Sequence, residues 1–401
     1  MDVFDTLGVN PSFIEKLKPR SITKPTAIQN LVIPQLLADK NIIFRSATGT
    51  GKTFAYLLPV LQRLCDEGGL RQQSPAALIC APTFELCSQI KAEADFLSSA
   101  AASAEPAALL IGSGKPDRQA EDLKKKPVLA VGNPARLLAL AKMGKLKFGG
   151  LRFLILDEAD RLTANECLEE TKELLALIER DKRRSDKNLC IAACSATVSA
   201  KTRALLGPLF ENAEIIESDD HEILRERIEH WALFSEKRRQ IQTLRSLLAA
   251  IKTKKPHFKA LVFTSRSDEA GKILSKLQYH HIAAAGLFGK INKKPVNTEE
   301  RKEALDSFRQ GKIDVLVSTD LAARGLDIPG LTHIITLDVP EDKEVYIHRC
   351  GRTGRAGKRG IMITIGDETQ LRLLASLEKK LRIMIKPKEL AYGRICDPAE
   401  T

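Results

Sequence analysis

The sequence contains no long hydrophobic run. Its best apolar stretch, Leu31 to Ala38, is interrupted by Pro34 and Gln35 and falls well short of the roughly 18 residues that a membrane-spanning helix needs. The N-terminal residues show neither the basic region nor the apolar stretch of a signal peptide. We therefore expect no membrane span, and we expect the protein to work in the cytoplasm.

Cysteine pairs at metal-binding spacing are also missing. No two of the eight cysteines are separated by the two-residue gap of a zinc ribbon. Cys190 and Cys194 lie in an apolar run, and we interpret them as reduced core thiols. The sequence therefore predicts no zinc site.

Aromatic residues are scarce, at 5%, but 43% of the residues are apolar and 28% are charged. This composition is typical of a globular protein and excludes a disordered or collagen-like chain. A length of 401 residues favours two domains, with three as the alternative.

Lys and Arg outnumber Asp and Glu by 63 to 51, which gives a net charge of +12. A surplus of this sign suits a polyanionic partner such as nucleic acid, although an ordinary basic cytosolic protein fits the charge equally well. Residues 1–218 hold 29 basic and 26 acidic side chains, a surplus of 3, whereas residues 219–401 hold 34 and 25, a surplus of 9. If nucleic acid binds, the second part should supply much of the attraction.

Short apolar runs, each followed by polar or glycine-containing sequence, dominate the pattern. Runs of this length between segments of helical periodicity predict buried parallel strands in βαβ units. We therefore predict an α/β fold with two doubly wound domains, in which ligands bind beyond the carboxyl ends of the strands. The predicted strands are Ile42–Phe44, Ala77–Ala81, Val128–Val131, Phe153–Leu156, Leu189–Ala193, Ile228–Phe234, Ala260–Phe263, Ile282–Leu287, Val315–Val317, Ile334–Leu337 and Ile361–Ile365, and the predicted helices include Phe54–Cys65, Leu168–Glu179 and Glu299–Phe308.

A glycine-rich loop follows the first predicted strand. Its glycines let backbone amides turn toward phosphate oxygens at the start of a helix. The lysine can reach the β and γ phosphates, and the last threonine can ligate Mg²⁺. The strict phosphate-loop pattern has glycine in place of the first serine, and the alternative is a turn that binds no ligand. The residues are Ser46, Ala47, Thr48, Gly49, Thr50, Gly51, Lys52 and Thr53.

Three acidic residues follow the strand Phe153–Leu156 in the tetrapeptide Asp157-Glu158-Ala159-Asp160. One carboxylate here can hold Mg²⁺, and its neighbour can orient or deprotonate an attacking water. An acidic surface turn is the alternative, which the preceding apolar strand disfavours.

In this combination the chain resembles a DEAD-box ATP-dependent RNA helicase of superfamily 2 over nearly its whole length. The family's adenine-reading Q motif is matched by Lys24-Pro25-Thr26-Ala27-Ile28-Gln29, with Phe4 upstream, and its linking motif by Ser195-Ala196-Thr197. Three further motifs follow in family order, namely Leu261-Val262-Phe263-Thr264-Ser265, the run from Ser318 to Asp327, and the run from Tyr346 to Arg355. Each motif is weak alone, but their joint order and spacing are specific.

The resemblance implies two tandem RecA-like domains with a nucleotide cleft between them. The corresponding domain prediction is a Q-motif segment over residues 1–30, a first domain over 31–217, a linker over 218–227, a second domain over 228–385 and a short tail over 386–401.

The resemblance also implies the residues of an ATP site. Lys52, Thr53 and Asp157 would hold the phosphates and Mg²⁺, and Glu158 would act on the attacking water. Arg352 and Arg355 would act as arginine fingers on the γ-phosphate, the alternative being a solvated helix face. The expected ATP-binding set is Phe4, Lys24, Gln29, Ser46, Ala47, Thr48, Gly49, Thr50, Gly51, Lys52, Thr53, Gly325 and Asp327, and the expected coupling set is Asp160, Ser195, Thr197 and His348.

Within that set, each adenine or ribose contact has a physical reason. The amide of Gln29 can donate to and accept from the adenine edge. Phe4 would stack on the base, or else serve as an ordinary packing residue. Asp327 would reach the ribose.

RNA, by the same resemblance, lies across both domains on the side away from ATP. Contacts to its sugar–phosphate backbone imply little base specificity, and the 2′-hydroxyl groups would distinguish RNA from DNA. The expected RNA-binding residues are Pro82, Thr83, Gly112, Gly114, Asn133, Arg136, Thr264, Arg266 and Thr319.

The chain departs from the family pattern mainly in these RNA motifs. Phe84 stands where the family has arginine, and Asn133 and Ala135 replace threonine and glycine. Ser21 replaces the glycine before the Q motif, and residues 290–298 form a lengthened loop. These departures predict a genuine ATPase with weak or unusual RNA coupling.

Two other functions remain open from the sequence. An ATP-gated RNA clamp or scaffold, with little strand separation, would carry the same motifs. A DNA helicase of the same superfamily is disfavoured by the Q motif and by Asp157–Asp160. The target RNA and any protein partners, such as ribosome-assembly or RNA-decay factors, are not specified.

Overall fold

Strands and helices alternate along the chain, since apolar runs bounded by polar turns are buried best in a sheet that helices cover on both faces. The computed structural model describes residues 4–45, 50–66, 75–98, 107–112, 116–164, 167–183, 188–195, 202, 204, 206–217, 227–287, 290–291, 294–295, 298–320, 328, 330–354 and 359–398. The chain divides into two compact units, residues 1–219 and 220–401. The division falls inside the segment 218–227 that the sequence predicts as a linker.

Seven parallel strands form the sheet of the first unit. They are β1 (Ile42–Arg45), β2 (Ala77–Cys80), β3 (Ala108–Leu110), β4 (Leu129–Gly132), β5 (Phe153–Leu156), β6 (Cys190–Ser195) and β7 (Glu214–Glu217). Their order across the sheet is β3-β4-β2-β5-β6-β1-β7. The carboxyl ends of β5, β6 and β1 are therefore adjacent, and the predicted phosphate-site motifs follow them.

The helices of the first unit connect these strands. They are α1 (Pro11–Leu17), α2 (Ala27–Leu37), α3 (Lys52–Asp66), α4 (Phe84–Ser98), α5 (Pro116–Lys124), α6 (Pro134–Lys142), α7 (Ala159–Leu162) and α8 (Leu168–Lys182). The sheet is buried on both faces, as its central strand β5 illustrates. Phe153 and Ile155 belong to one apolar cluster, and Leu154 and Leu156 belong to another. Alternate side chains point to opposite faces, so both faces carry a core and the first unit is doubly wound.

The residues before α2 are attached to the first unit through α3. The side chain of Gln62 accepts a hydrogen bond from the Asn10 amide (2.8 Å) and donates one to the Gly8 carbonyl (2.8 Å). Because both groups of this buried side chain are satisfied, the contact fixes the N-terminal segment against the helix.

The second unit holds an eight-stranded sheet. Its strands are β8 (Ile228–Phe234), β9 (Ala260–Phe263), β10 (Ala284–Leu287), β13 (Val315–Ser318), β14 (His333–Thr336), β15 (Gly360–Gly366), β16 (Ile385–Ala391) and β17 (Arg394–Cys396), in the order β10-β13-β9-β14-β15-β8-β16-β17. A separate two-stranded ribbon pairs β11 (Lys290–Ile291) with β12 (Lys294–Pro295). The helices are α9 (Gln240–Lys254), α10 (Ser267–Tyr279), α11 (Thr298–Arg309), α12 (Lys343–Cys350) and α13 (Glu368–Leu381).

The end of the chain differs from the predicted tail over residues 386–401. Strand β16 pairs in parallel with β8, and Pro387 lies opposite Ala232. Strand β17 pairs with β16 only from Glu389 onward. Proline has no amide hydrogen and suits a stretch that is paired on one side only, so this segment contributes two strands to the second sheet.

The two largely parallel sheets confirm the predicted α/β class. All eight cysteines are free thiols, and Cys190 and Cys194 are buried as predicted. Among the helices that the structure describes, none combines the length and the apolar character that crossing a membrane requires.

His333 at the start of β14 should make the stability of the second unit depend on pH. Burial, and to a lesser degree Lys255, lowers the pKa of His333 from 6.5 to about 4, while its ring packs edge-on against Phe258. The unfolded chain therefore binds more protons between these values, so this contribution to stability is complete above pH 6.5 and is lost as the pH falls toward 4. Between pH 7 and 4.5, the free energy of unfolding should fall by about 2–3 kcal/mol more in the wild type than in His333→Gln. Denaturant titration at the two pH values measures this difference, and equal falls in both proteins would contradict it.

Candidate active site

A glycine with a left-handed backbone lies at the start of α3. Gly51 has φ +92°, and a Cβ atom added there would lie 2.5 Å from Nε2 of Gln29. Only glycine fits this backbone without strain and without displacing the glutamine. The four preceding loop residues, Ser46, Ala47, Thr48 and Gly49, lie outside the described residues.

Gln29 links the Q-motif helix α2 to this loop. Its side chain is 2% exposed; Nε2 donates to the Gly51 carbonyl (3.0 Å), and Oε1 accepts from the Thr26 amide (2.9 Å). Thr26 caps the same helix by accepting from the Gln29 amide at 3.4 Å. Each end of the Gln29 amide thus has a protein partner, and one further donor and acceptor site remains. The exposed Lys24 lies just before this cap.

Phe4 is placed differently from the expectation of base stacking. Its ring is 1% exposed and packs in the first-unit core with Val9 and Phe13. This placement corresponds to the alternative interpretation of Phe4 as a packing residue, and stacking of Phe4 on a base stays a prediction.

Asp157 lies in a buried polar cluster at the carboxyl end of β5. The residue is 3% exposed; its Oδ2 accepts from the Tyr56 hydroxyl (2.8 Å), and its Oδ1 accepts from the Glu158 amide (2.9 Å). Burial raises the pKa of Asp157, and the Lys52 ammonium opposes that rise. The carboxylate is therefore held in one orientation by donors from two elements.

Lys52, the first residue of α3, faces the same cluster. Burial alone would lower its pKa, but the carboxylates of the Asp157–Asp160 turn outweigh burial, so the pKa of Lys52 is raised. The ammonium group is consequently charged at physiological pH. Lys52 is half-buried. A charged lysine beside carboxylates can bind an anion such as phosphate, provided that a bound cation balances the negative charge of the carboxylates.

Glu158 adopts a left-handed backbone, with φ +52°. It stands at the N-cap of α7, and its Oε2 lies 3.2 Å from Nη1 of Arg161, with both side chains 12% exposed. Non-glycine residues in this conformation are held at a cost and cluster at functional sites. The ion pair holds the Glu158 carboxylate beside Asp157.

Three residues of this cluster are not among the site residues predicted from the sequence, namely Tyr56, Cys194 and Arg161. Tyr56 lies one helical turn after Thr53, on the same face of α3, and that spacing could have identified it. Cys194 lies on β6, the strand between β5 and β1, which explains how it reaches both Lys52 and Asp157.

The predicted coupling residues divide between the two units. Ser195 ends β6 beside Arg45 and is 1% exposed, and Asp160 is half-buried in α7. His348 lies in α12 of the second unit. Thr197 lies outside the described residues.

In the second unit, a buried arginine that the sequence analysis does not assign anchors α12. Arg349 is 1% exposed and pairs with both carboxylate oxygens of Asp320 at 2.7 Å and with Asp338 at 2.9 Å. It also donates to the Thr336 hydroxyl, and its guanidinium lies over the Phe263 ring at 5.4 Å. These contacts fasten α12 to the ends of strands β9, β13 and β14.

Of the predicted arginine fingers, Arg352 follows α12 and is 3% exposed. The other, Arg355, lies outside the described residues, as do Gly325 and Asp327 of the ATP-binding set.

The RNA residues predicted in the first unit follow three neighbouring strands. Pro82 and Thr83 follow β2, Gly112 follows β3 and Asn133 follows β4, and these strands are adjacent in the sheet. A Cβ atom at Gly112 would lie 3.7 Å from Nδ2 of Asn133, so the two residues are in contact distance. The structure thus brings these four residues to one sheet end, while Gly114 lies outside the described residues.

Two of these residues also cap helices. The Thr83 hydroxyl accepts from the Leu86 amide (3.3 Å) at α4, and Oδ1 of Asn133 accepts from the Arg136 amide (3.2 Å) at α6. Asparagine is as good an N-cap as threonine, so Asn133 keeps this local structure. Arg136 itself is 8% exposed.

The RNA residues predicted in the second unit have acidic neighbours. Thr264 is 1% exposed, and its hydroxyl lies 3.1 Å from Glu269 and 3.4 Å from Asp338. The exposed Arg266 pairs with Asp268 at 3.0 Å. Thr319, at the end of the neighbouring strand β13, is 5% exposed.

Comparison with protein families identifies both units. The DEAD/DEAH box helicase family matches residues 26–205, and the helicase conserved C-terminal domain matches residues 239–357. The chain is 34% identical to the probable ATP-dependent RNA helicase YfmL of Bacillus subtilis, covering 96% of each protein. It is 32% identical to the DEAD-box ATP-dependent RNA helicase CshC of Bacillus cereus, covering 92% of the chain and 88% of that protein.

Solved structures show the same fold. A Dbp5 variant of S. cerevisiae bound to RNA and ADP BeF3 aligns with a TM-score of 0.78 and 25% identity, covering 96% of this chain and 95% of that one. The DEAD-box helicase Mss116 bound to ssRNA and UDP-BeF aligns with a TM-score of 0.82 and 25% identity, covering 97% and 81%. These matches confirm two tandem RecA-like domains.

Replacing Gly51 with alanine should destabilise the first unit. The new Cβ would lie 2.5 Å from Nε2 of Gln29, so the Gln29 amide would have to move. Alanine would also have to adopt a left-handed backbone, which costs about 1–3 kcal/mol. Gly144→Ala is the matched control because Gly144 also has positive φ (+68°) but has no other atom within 4 Å of the added Cβ. Urea unfolding should show a larger loss for Gly51→Ala, and equal losses would contradict the Gln29 contact.

Proposed function

The chain belongs to the DEAD-box family of ATP-dependent RNA helicases, and from this membership we propose how its residues divide ATP hydrolysis and RNA binding. As an RNA-dependent ATPase, it converts ATP and water to ADP and phosphate while it remodels RNA. The observation that carries the residue assignment is the cluster of the buried Asp157 with the half-buried Lys52 and Glu158. These residues follow β1 and β5, which flank β6 in the sheet. We also propose that the protein acts in the cytoplasm, where its substrates RNA and ATP are available.

Thr53 and Asp157 are the proposed Mg²⁺ ligands. A hydroxyl and a carboxylate are the hard oxygen donors that Mg²⁺ prefers, and it commonly takes only one or two carboxylates from the protein, with water and phosphate oxygens completing the shell. Bound Mg²⁺ would neutralise charge on the β and γ phosphates.

Lys52 and Glu158 act on the two reacting groups. The Lys52 ammonium, kept charged by the surrounding carboxylates, would hold the β and γ phosphates in place. Glu158 would orient the attacking water and accept its proton, and Arg161 positions this carboxylate. This division follows the requirement that phosphoryl transfer depends on positioning and charge stabilisation.

The second unit would complete the reaction. Arg352 and Arg355 are proposed as arginine fingers, since a planar and permanently charged head suits the γ-phosphate. Gly325 and Asp327 would bind the nucleotide, and Asp160, Ser195, Thr197 and His348 would couple it to RNA. Because only a closed arrangement would join the two sets, ATP would stabilise closure.

RNA would bind through its backbone at the ends of β2, β3 and β4 and, in the second unit, at Thr264, Arg266 and Thr319. Backbone contacts make the binding largely independent of sequence. The acidic neighbours of Thr264 weaken the attraction of that site for phosphate. The alternative that the sequence leaves open, an ATP-gated clamp with little strand separation, is distinguished by a duplex-separation assay run beside the ATPase assay.

Replacing Glu158 with glutamine should abolish turnover. The variant keeps the size of the side chain but cannot accept a proton, so kcat should fall at least about 100-fold, while binding of a fluorescent ATP analogue should be unchanged. Glu169→Gln, on the exposed face of α8, is the matched control and should keep full activity. Wild-type turnover in Glu158→Gln would contradict the assignment.

Phe84→Arg, which introduces the residue that the family has at this position, should strengthen RNA binding. Phe84 is 37% exposed at the first turn of α4, next to the proposed backbone contacts. One added phosphate contact should steepen the dependence of log K on log salt by about 0.7 for single-stranded RNA.

Met143→Arg is the charge-matched control. Met143 is 44% exposed and lies at the C-terminal end of α6, opposite the end that Asn133 caps. RNA titrations at several salt concentrations compare the two variants. An equal salt slope in both would show that position 84 does not face RNA.

A further inference from the structure

The hydroxyl of Tyr56 contacts one of the two proposed Mg²⁺ ligands and lies near the other in sequence. It donates to Oδ2 of Asp157 at 2.8 Å, across 101 residues of sequence, and Tyr56 follows Thr53 by one turn on the same face of α3. Tyr56 is fully buried. One side chain thus joins the phosphate loop to the acidic turn.

The direction of this hydrogen bond follows from its chemistry. An ionised carboxylate can only accept, so the single hydroxyl hydrogen of Tyr56 goes to Asp157. The Tyr56 oxygen then has only lone pairs to offer to the Thr53 hydroxyl. A hydrogen bond donated by Thr53 to that oxygen would leave the lone pairs of Thr53 available to a cation.

The Asp157 carboxylate is also constrained on its other sides. Its Oδ1 accepts from the Glu158 amide at 2.9 Å. The thiol of Cys194, fully buried on β6, interacts with the same carboxylate. Donors from α3 and the acidic turn therefore fix the carboxylate, and the thiol from β6 lies on a further side of it.

We propose that Tyr56, assisted by Cys194, is a positioning residue that holds Thr53 and Asp157 in the orientation that binds Mg²⁺. The inference rests on the proposed function, in which these two residues are the ligands. Partners of metal ligands usually tune metal affinity in this way, and their loss typically costs 10–100-fold in affinity or activity. A ring that served only to fill the core would need no hydroxyl at this position.

The test uses Tyr56→Phe, which removes only the hydroxyl from the full-length chain. Binding of a fluorescent ADP analogue is titrated with MgCl₂, and hydrolysis of ATP is measured over the same range. We expect the half-saturating Mg²⁺ concentration to rise about 10–100-fold, with analogue binding in EDTA unchanged and kcat recovering at saturating Mg²⁺. A merely structural defect would not be corrected by Mg²⁺.

Cysteine variants provide an independent readout if Tyr56→Phe does not fold. Cys194→Ala should raise the half-saturating Mg²⁺ concentration, and Cys194→Ser, which keeps a donor, should restore it. Cys190→Ala is the matched control because Cys190 lies on the same strand and the same cluster face and donates to the Lys40 carbonyl instead (3.4 Å).

The outcomes separate the two claims. If wild-type binding of the analogue and wild-type hydrolysis do not depend on Mg²⁺, the proposed metal site itself is wrong. If the wild type depends on Mg²⁺ but Tyr56→Phe and Cys194→Ala match it, the positioning role is wrong and the proposed function stands.

Discussion

The first unit depends on the balance of charge between Asp157 and Lys52. Asp157 is buried, at 3% exposure, whereas Lys52 is half-buried, and the carboxylates of the Asp157–Asp160 turn raise the pKa of Lys52. A buried carboxylate without a cationic partner would cost several kcal/mol. The balance holds only if the ends of β1, β5 and β6 are adjacent, as the parallel order of the sheet provides. The strand order of the fold and the charge balance of the proposed ATP site therefore depend on each other. Gln29 connects helix α2 to the same site through its hydrogen bond to the Gly51 carbonyl.

A comparable constraint organises the second unit. The guanidinium group of Arg349 is buried away from water. Ion pairs with Asp320 and Asp338 and contact with the Phe263 ring take the place of its hydration. Burial opposes its charge, but these carboxylates outweigh burial and raise the pKa of Arg349. Arg349 lies in the helix that carries His348, and Arg352 follows that helix. The contacts of Arg349 therefore also position these two residues. In each unit, therefore, a cation with carboxylate partners holds proposed catalytic or coupling residues.

The sequence allows the strands and motifs to be predicted because apolar runs and glycine-rich loops are local signals; Phe153–Leu156 and Ala260–Phe263 match the observed strands residue for residue. Cys194 could not be assigned in this way, since it resembles a core residue until the sheet order brings it beside Asp157, whereas the helical spacing of Tyr56 from Thr53 is a local signal. Burial of Phe4 likewise depends on packing between distant segments, and β16 is too polar to be read as a strand without its partner β8.

The measurement that tests this account most directly is steady-state ATP hydrolysis with no nucleic acid, with single-stranded RNA, and with single-stranded DNA of the same sequence. The account predicts stimulation by RNA alone, and predicts that it weakens as salt rises because the contacts are to phosphates. Hydrolysis that is equally fast under all three conditions, or that DNA stimulates as well as RNA does, would contradict it.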